Sequence, residues 1–158
     1  MKIRVGFGYD VHKFAENRDL WLGGIKIEYD KGLIGHSDAD VLIHVICDAL
    51  LGAANLRDIG FQFPDTASEF KDIDSKILLK RTCELLNEKG YCIGNIDATV
   101  CAEYPKLNPH IPAMKEVMAK IMSIDIEDLS IKATTTEKLG FVGRQEGIAA
   151  YASVLIEK

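Results

Sequence analysis

The stretch from Ser37 to Ala54, SDADVLIHVICDALLGAA, limits the fold more than any other part of the chain. Val41, Val45, Ala49 and Leu50 recur at helical spacing, so 38–54 is read as a helix with a wide apolar stripe. Asp40, His44 and Asp48 stand at i, i+4 and i+8 on another face. Ser37 is placed as the N-cap, with Asp40 three residues on as an acidic form of the capping box. Such a helix must bury its stripe against another layer, and the remaining sequence supplies strands.

Residues 2–9 partly alternate and read as a first strand. Trp21 to Glu28 reads as a short hairpin arm around Gly23-Gly24. Residues 74–89 form a second amphipathic helix ending before Gly90, and 110–121 a third, with Pro109 and Pro112 near its start. Residues 95–101, 129–133 and 147–156 read as further strands. Strands alternating with three helices imply a layered α/β arrangement of the α+β kind, whose strand order the pattern leaves open. A chain of 158 residues without repeats or a Pro/Gly/Ser linker is expected to form one domain, 1–158; that size buries roughly 70% of the unfolded surface.

Composition narrows the function. A net charge of −5 without a basic stripe argues against nucleic acid as a partner. No apolar run approaches the ~20 residues of a membrane helix. The charged start Met1-Lys2-Ile3-Arg4-Val5 is soon followed by Asp10 and His12, which speaks against a cleavable signal peptide. Cys47, Cys83, Cys92 and Cys101 form no C-x-x-C pair and read as reduced thiols in or near the core, in keeping with a cytoplasmic protein.

Asp10-Val11-His12 puts a carboxylate and an imidazole on one face of an extended segment. His44 projects from the polar face of the 38–54 helix. One carboxylate and two imidazoles make three ligands with a fourth position open, a set that favours zinc over magnesium. Alone, D-x-H also fits a solvated turn, and His44 also fits a half-buried structural histidine. Gly35-His36-Ser37-Asp38 leads into the same helix, whose first turn could face a phosphate, with His36 as a donor. Thr134, Thr135, Thr136 and Glu137, with Arg144 beyond, offer hydroxyls, a hard oxygen ligand and a guanidinium, as a diphosphate with a magnesium-type ion requires; they also fit an ordinary strand edge. The loop Ala102 to His110 carries two prolines and Lys106, and fits either a plain connection or a phosphate contact.

Taken together, GYDVHKF at 8–14, GHSDADVLIHVICDALLGAA at 35–54, DIGFQFPDT at 58–66, PKLNPH at 105–110 and KATTTEKLGFVGRQEGIA at 132–149 resemble the 2-C-methyl-D-erythritol 2,4-cyclodiphosphate synthases of the non-mevalonate isoprenoid pathway. The five ordered blocks span nearly the whole chain. The resemblance implies conversion of 4-diphosphocytidyl-2-C-methyl-D-erythritol 2-phosphate to the cyclic 2,4-diphosphate with release of CMP. It also implies a mixed sheet with three helices packed on it, in a chorismate-mutase-like homotrimer with active sites between subunits.

By that resemblance Asp10, His12 and His44 are zinc ligands, and Glu137 holds a second divalent ion, magnesium or manganese. His36 and Thr135 stabilise the transition state. Val11 and Ser37 join Asp10, His12 and His36 around the substrate. Asp58, Ile59 and Gly60, with Phe63, Pro64, Asp65, Thr66 and Ala67, contact the methylerythritol. Ala102, Glu103, Tyr104, Pro105, Lys106, Leu107 and Asn108 form the cytidine-diphosphate pocket with Thr134, Thr135, Thr136 and Glu137, and Phe141 and Arg144 complete the set. The chain departs from the family at Ala67-Ser68, where Asp-Pro is usual, and at Asp72-Ile73, where Gly-Ala is usual. It departs again at Glu103, where glutamine is common and where a carboxylate brings negative charge toward a diphosphate pocket. A zinc phosphohydrolase and a non-catalytic trimeric binding module are the rival readings. They differ in product: an open-chain phosphate, or no CMP at all.

Overall fold

The computed structural model describes residues 2–64, 66–70 and 72–158. In chain order the elements are β1 (Ile3–Glu16), β2 (Leu20–Leu22), β3 (Ile25–Ile27), β4 (Lys31–Leu33), α1 (Val41–Ala53), α2 (Ile59–Gln62), α3 (Ser75–Glu88), β5 (Cys92–Cys101), α4 (Ile111–Met122), β6 (Leu129–Thr134), α5 (Gly140–Gly143) and β7 (Gly147–Glu157). The main sheet has five strands in the order β4-β1-β7-β5-β6. Only β5 and β6 run parallel, joined through α4 as a parallel pair requires; β1–β4, β1–β7 and β5–β7 are antiparallel. This is the expected mixed sheet with three long helices. β1 runs on to Glu16, well past the expected end at residue 9, because it pairs with β7 from Ile3 through Lys13 and with β4 beyond. Asp10 and His12 therefore sit inside a strand.

The helix α1 is buried almost all round. Leu42, Ile43, Ile46, Cys47 and Leu51 are as inaccessible as the expected stripe, because α1 lies between the sheet and α3. It comes very close to β1. A Cβ placed on Gly6 would lie 1.9 Å from the Ala49 carbonyl oxygen, and one on Gly8 2.4 Å from that of Val45. Only a residue without a side chain permits that approach.

One expectation fails at the start of α1. The helix begins at Val41, and its N-cap is Asp40, which accepts from the Ile43 N–H at 3.0 Å. Ser37 lies outside the helix and accepts from the Ala39 N–H. The other contacts of Asp40 explain the shift. Its two oxygens also take the N–H groups of Gly23 (2.9 Å) and Gly24 (2.7 Å) in the β2–β3 turn. Both glycines have positive φ, at 62° and 80°, as a tight hairpin turn needs. Burial and the nearby Asp38 charge push the Asp40 carboxyl upward, opposed by these backbone N–H bonds. The positive end of α1 is thus met in part by the chain's own carboxylate.

Along β1 the residues alternate. Gly6, Gly8 and Phe14 face the helices. Ile3, Val5, Phe7, Tyr9 and Val11 stand exposed on the opposite face, joined by Tyr151 of β7. Cys47, Cys83 and Cys101 are buried and Cys92 exposed, and all are free thiols. Burial raises the Cys47 thiol and pushes Cys83 up to about 12, as expected of core thiols.

Candidate metal centre

β1 aims Asp10 and His12 at α1, and α1 returns His44 toward them. Asp10 Oδ2, His12 Nε2 and His44 Nδ1 form a nearly equilateral triangle: 3.2 Å from Asp10 to His12, 3.3 Å from Asp10 to His44 and 3.1 Å between the imidazoles. Tetrahedral ligands about 2.0–2.1 Å from a zinc ion stand roughly 3.3–3.4 Å apart, so the triangle is close to one face of that tetrahedron.

The remaining ring nitrogens say which atoms are free. His12 Nδ1 lies 2.7 Å from the Ile34 carbonyl oxygen, which can only accept. The Nδ1 therefore carries a hydrogen, and the lone pair of neutral His12 is on Nε2. His44 Nε2 lies 2.9 Å from Ser75 Oγ and 3.0 Å from Ser37 Oγ. Ser75 gives its own hydroxyl hydrogen to Asp38 Oδ1 at 2.5 Å, so it accepts from His44 and leaves the His44 lone pair on Nδ1. Asp10 Oδ1 is held by the Val11 N–H at 2.8 Å. With both imidazoles neutral, three lone pairs point into one small space. That arrangement repels itself unless a cation or a proton lies among them.

The electrostatics agree. Burial by itself would raise Asp10, but hydrogen bonds and charge from His12 and His44 outweigh it and hold the carboxyl far below its usual range. Burial, the largest single influence, would lower His12, but the bond to Asp10, its charge, the Ile34 carbonyl bond and the Asp40 charge together outweigh it, so the imidazole is raised. The donor set suits a divalent ion with two nitrogen ligands, one oxygen ligand and an open fourth position. Among the described residues it is the one cluster of His, Cys, Asp and Glu with metal-ligand spacing.

The triad opens on a cavity of about 340 Å³ that gathers many of the expected residues. His36 and Ser37 line it with Ile59, Gly60 and Phe63. Asp58 caps α2, accepting from the Phe61 N–H at 3.2 Å, and so shapes the wall by holding Ile59 and Gly60. Pro64 and Ala67 are linked by a backbone bond just beyond, and Thr66 lies between them. Asp65 lies outside the described residues. The substituted pair Asp72-Ile73 packs against the His36 loop, through Asp72 N–H to His36 O at 2.8 Å and Asp38 N–H to Ile73 O at 3.2 Å.

Sequence reasoning placed Asp48 on the polar face with His44 but gave it no role, and it gave none to Asp38 or Ser75. Asp48 lines the cavity one turn beyond His44 and takes the Ile59 N–H at 2.7 Å; burial raises its carboxyl. Its spacing from His44 was the available signal. Nothing in the sequence pattern pointed to Ser75, which comes from another helix.

A second cavity, about 160 Å³, is lined by Ala102, Pro105, Lys106, Leu107, Asn108, Ala133, Thr134 and Thr135. It shares no lining residue with the first. Four expected members are not on its wall. Glu103 turns away toward Thr136 and Lys138, and Tyr104 is exposed with Lys106 over its ring. The Thr136 hydroxyl donates to Leu139 O, and Glu137 is exposed with Oε1 accepting from Thr135. Val11 points to the face of β1 opposite Asp10 and His12, where it lines a third hollow with Phe141. Arg144 is exposed and pairs with Glu146 at 3.2 Å.

The fold and this pocket define a class, a mixed-sheet protein with a sheet-and-helix pocket that carries a candidate metal-binding triad. The chain belongs to the YgbB family, whose pattern matches residues 3–157. A 2-C-methyl-D-erythritol 2,4-cyclodiphosphate synthase of Bacteroides thetaiotaomicron is 73% identical over 158 residues, covering 100% of this chain and 99% of its own. A protein of the same name from Cytophaga hutchinsonii is 61% identical over 158 residues, covering 100% of this chain and 99% of its own. Among solved structures, the bifunctional IspDF of Campylobacter jejuni superposes with a TM-score of 0.94 at 47% identity over 98% of this chain, which spans 42% of that longer protein. A CDP complex of IspF from Plasmodium falciparum gives 0.85 at 36% identity, covering 98% of this chain and 95% of its own.

Proposed function

We propose that this chain is a 2-C-methyl-D-erythritol 2,4-cyclodiphosphate synthase, a single-domain, cytoplasmic, cyclising phosphorus–oxygen lyase. Its substrate is 4-diphosphocytidyl-2-C-methyl-D-erythritol 2-phosphate, and its products are the cyclic 2,4-diphosphate and CMP. The observation that carries the reading is the closed donor triangle of Asp10, His12 and His44 opening on a cavity with His36. Full-length relatives of that name and the CDP complex of a structural neighbour support it.

A phosphate monoester with a second pKa near ~6 is largely dianionic at neutral pH, so the 2-phosphate needs no protein base. One of its oxygens attacks the β-phosphorus, the bridge to the α-phosphate breaks, and CMP leaves with the bond's electrons. Asp10, His12 and His44 would hold zinc, and Glu137 a magnesium or manganese ion; such cations would supply positive charge that eases the approach of two anionic phosphates. His36 and Thr135 donate to the oxygens on which charge develops. Lys106 and Asn108 hold the cytidylyl end in the second cavity. Fixing nucleophile and phosphorus in line can contribute up to roughly 7–11 kcal/mol.

The active unit is a homotrimer. Two features favour it: the apolar stripe of Ile3, Val5, Phe7, Tyr9 and Val11 on the uncovered side of β1, and the division of the expected site between cavities without common lining. A face of that kind is usually covered by a partner, and a neighbouring copy could bring its second cavity to this chain's triad.

Incubation with the cytidylyl substrate, followed by phosphorus NMR, decides the matter. CMP appearing with a cyclic diphosphate is expected. CMP with an open-chain phosphate would move the chain to the phosphohydrolases, and absence of CMP would end the enzyme reading.

A further inference from the structure

The two segments that wall the second cavity, 102–108 and 133–135, are tied by a side chain that does not face it. Glu103 is 8% exposed, one of few buried charged residues. Its Oε1 accepts from the Thr136 N–H at 3.0 Å and the Lys138 N–H at 3.1 Å, with the Thr136 hydroxyl at 3.5 Å. Between those two amides the chain is unusual. Glu137 and Lys138 both have positive φ, 54° and 64°, which residues with a Cβ rarely adopt in succession. Two backbone N–H groups brought to one point form a small anion-binding nest, and here the anion is the chain's own carboxylate. The Lys138 N–H is the largest cause holding that carboxyl below its usual range, with the Thr136 N–H adding to it against a burial effect.

We propose that Glu103 is a positioning residue: it locks the 135–138 turn, and with it Thr135 and Glu137, against the 102–108 loop, so that the second cavity is preformed. This rests on reading that cavity as the cytidine-diphosphate pocket. It also removes the conflict seen in the sequence, because the extra negative charge is spent on two backbone donors of the turn and not presented to the ligand. A glutamine keeps one acceptor oxygen and could do much of the same.

The test compares Glu103→Ala and Glu103→Gln with the wild-type protein. Three readouts apply: CDP affinity in the presence of Mg2+, hydrogen exchange at the Thr136 and Lys138 amides, and the split of any activity loss between kcat and KM. For Glu103→Ala, CDP affinity should fall on the order of 10-fold, both amides should exchange faster, and zinc content should be unchanged. Glu103→Gln should stay within roughly threefold of wild type in affinity and protect both amides. Unchanged affinity and exchange in Glu103→Ala would overturn the proposal, as would a Glu103→Gln protein equal to Glu103→Ala. If wild-type protein does not bind CDP, the reading of the cavity falls by itself; the lock is then judged on amide exchange alone, faster exchange in Glu103→Ala supporting it and unchanged exchange sinking it.

Discussion

Asp10, His12 and His44 stand on a strand and a helix packed face to face, their outer atoms held by the Ile34 carbonyl, the Ser37 and Ser75 hydroxyls and the Val11 N–H, and their other three donor atoms turned toward one another. Thr135, Glu137 and Arg144 lie instead beyond β6, where Glu137 and Arg144 are exposed, and the Glu137 carboxylate accepts from its neighbour Thr135. The first region is complete within one chain. Of the second, Thr135 lines the small hollow while Glu137 and Arg144 do not, and the Glu137 carboxylate is open to solvent. Under the proposed function, the zinc ion would sit at the rigid end and the other end would gather around the substrate's phosphates.

Several measurements would break or sharpen this contrast. The largest effect should follow His44→Ala. Losing one of three ligands should cut zinc affinity by more than about 1000-fold and abolish cyclisation with it; a zinc-free variant with full activity would remove the triad's role. Glu137→Gln should lower turnover by roughly 100–1000-fold while zinc content stays at wild-type level. If zinc is lost as well, the two regions are not independent.

Next comes the packing beneath the triad. Gly8→Ala places a Cβ against the Val45 carbonyl, so β1 and α1 must separate. Denaturant unfolding should show a loss of about 2–3 kcal/mol, accompanied by weaker zinc binding as the His44 atoms draw away from Asp10 and His12. Wild-type stability would show that the helix moves freely and that the triangle is not set by this contact. Ser75→Ala removes an acceptor that fixes the His44 ring; chelator competition should register a roughly 10–100-fold drop in zinc affinity, and no drop would make the hydroxyl incidental. The smallest effect belongs to the exposed Arg144–Glu146 pair, where Arg144→Ala should change stability by less than about 0.5 kcal/mol. A larger loss would mean the exposed arm is more firmly anchored than its contacts indicate.

Periodicity alone made the long elements legible: α1, α3, α4 and the strands β5, β6 and β7 fall within a few residues of their expected bounds. What it missed depends on distant partners. β4 and the last three residues of β1 exist because they pair with each other, and residues 10–13 extend β1 by pairing with β7. The start of α1 moved from Ser37 to Asp40 because the β2–β3 turn brings two amides to Asp40, a contact between segments 16 and 17 residues apart. The triad's residue types and the i, i+2 spacing of Asp10 and His12 could be read directly, and their convergence with His44 could only be supposed.

The amino-acid order by itself fixed the alternation that sends Asp10 and His12 to one face, the helical phase of His44, and the glycines at 6 and 8 that admit a close helix. Tertiary structure alone decided the distances, because a gap of 3.1–3.3 Å between donors depends on how deeply α1 seats on β1. It decided the tautomers through Ile34 and Ser75, and the inward turn of Glu103. Local sequence sets dihedral preferences and faces, whereas ligand geometry is set by packing between segments far apart in the chain.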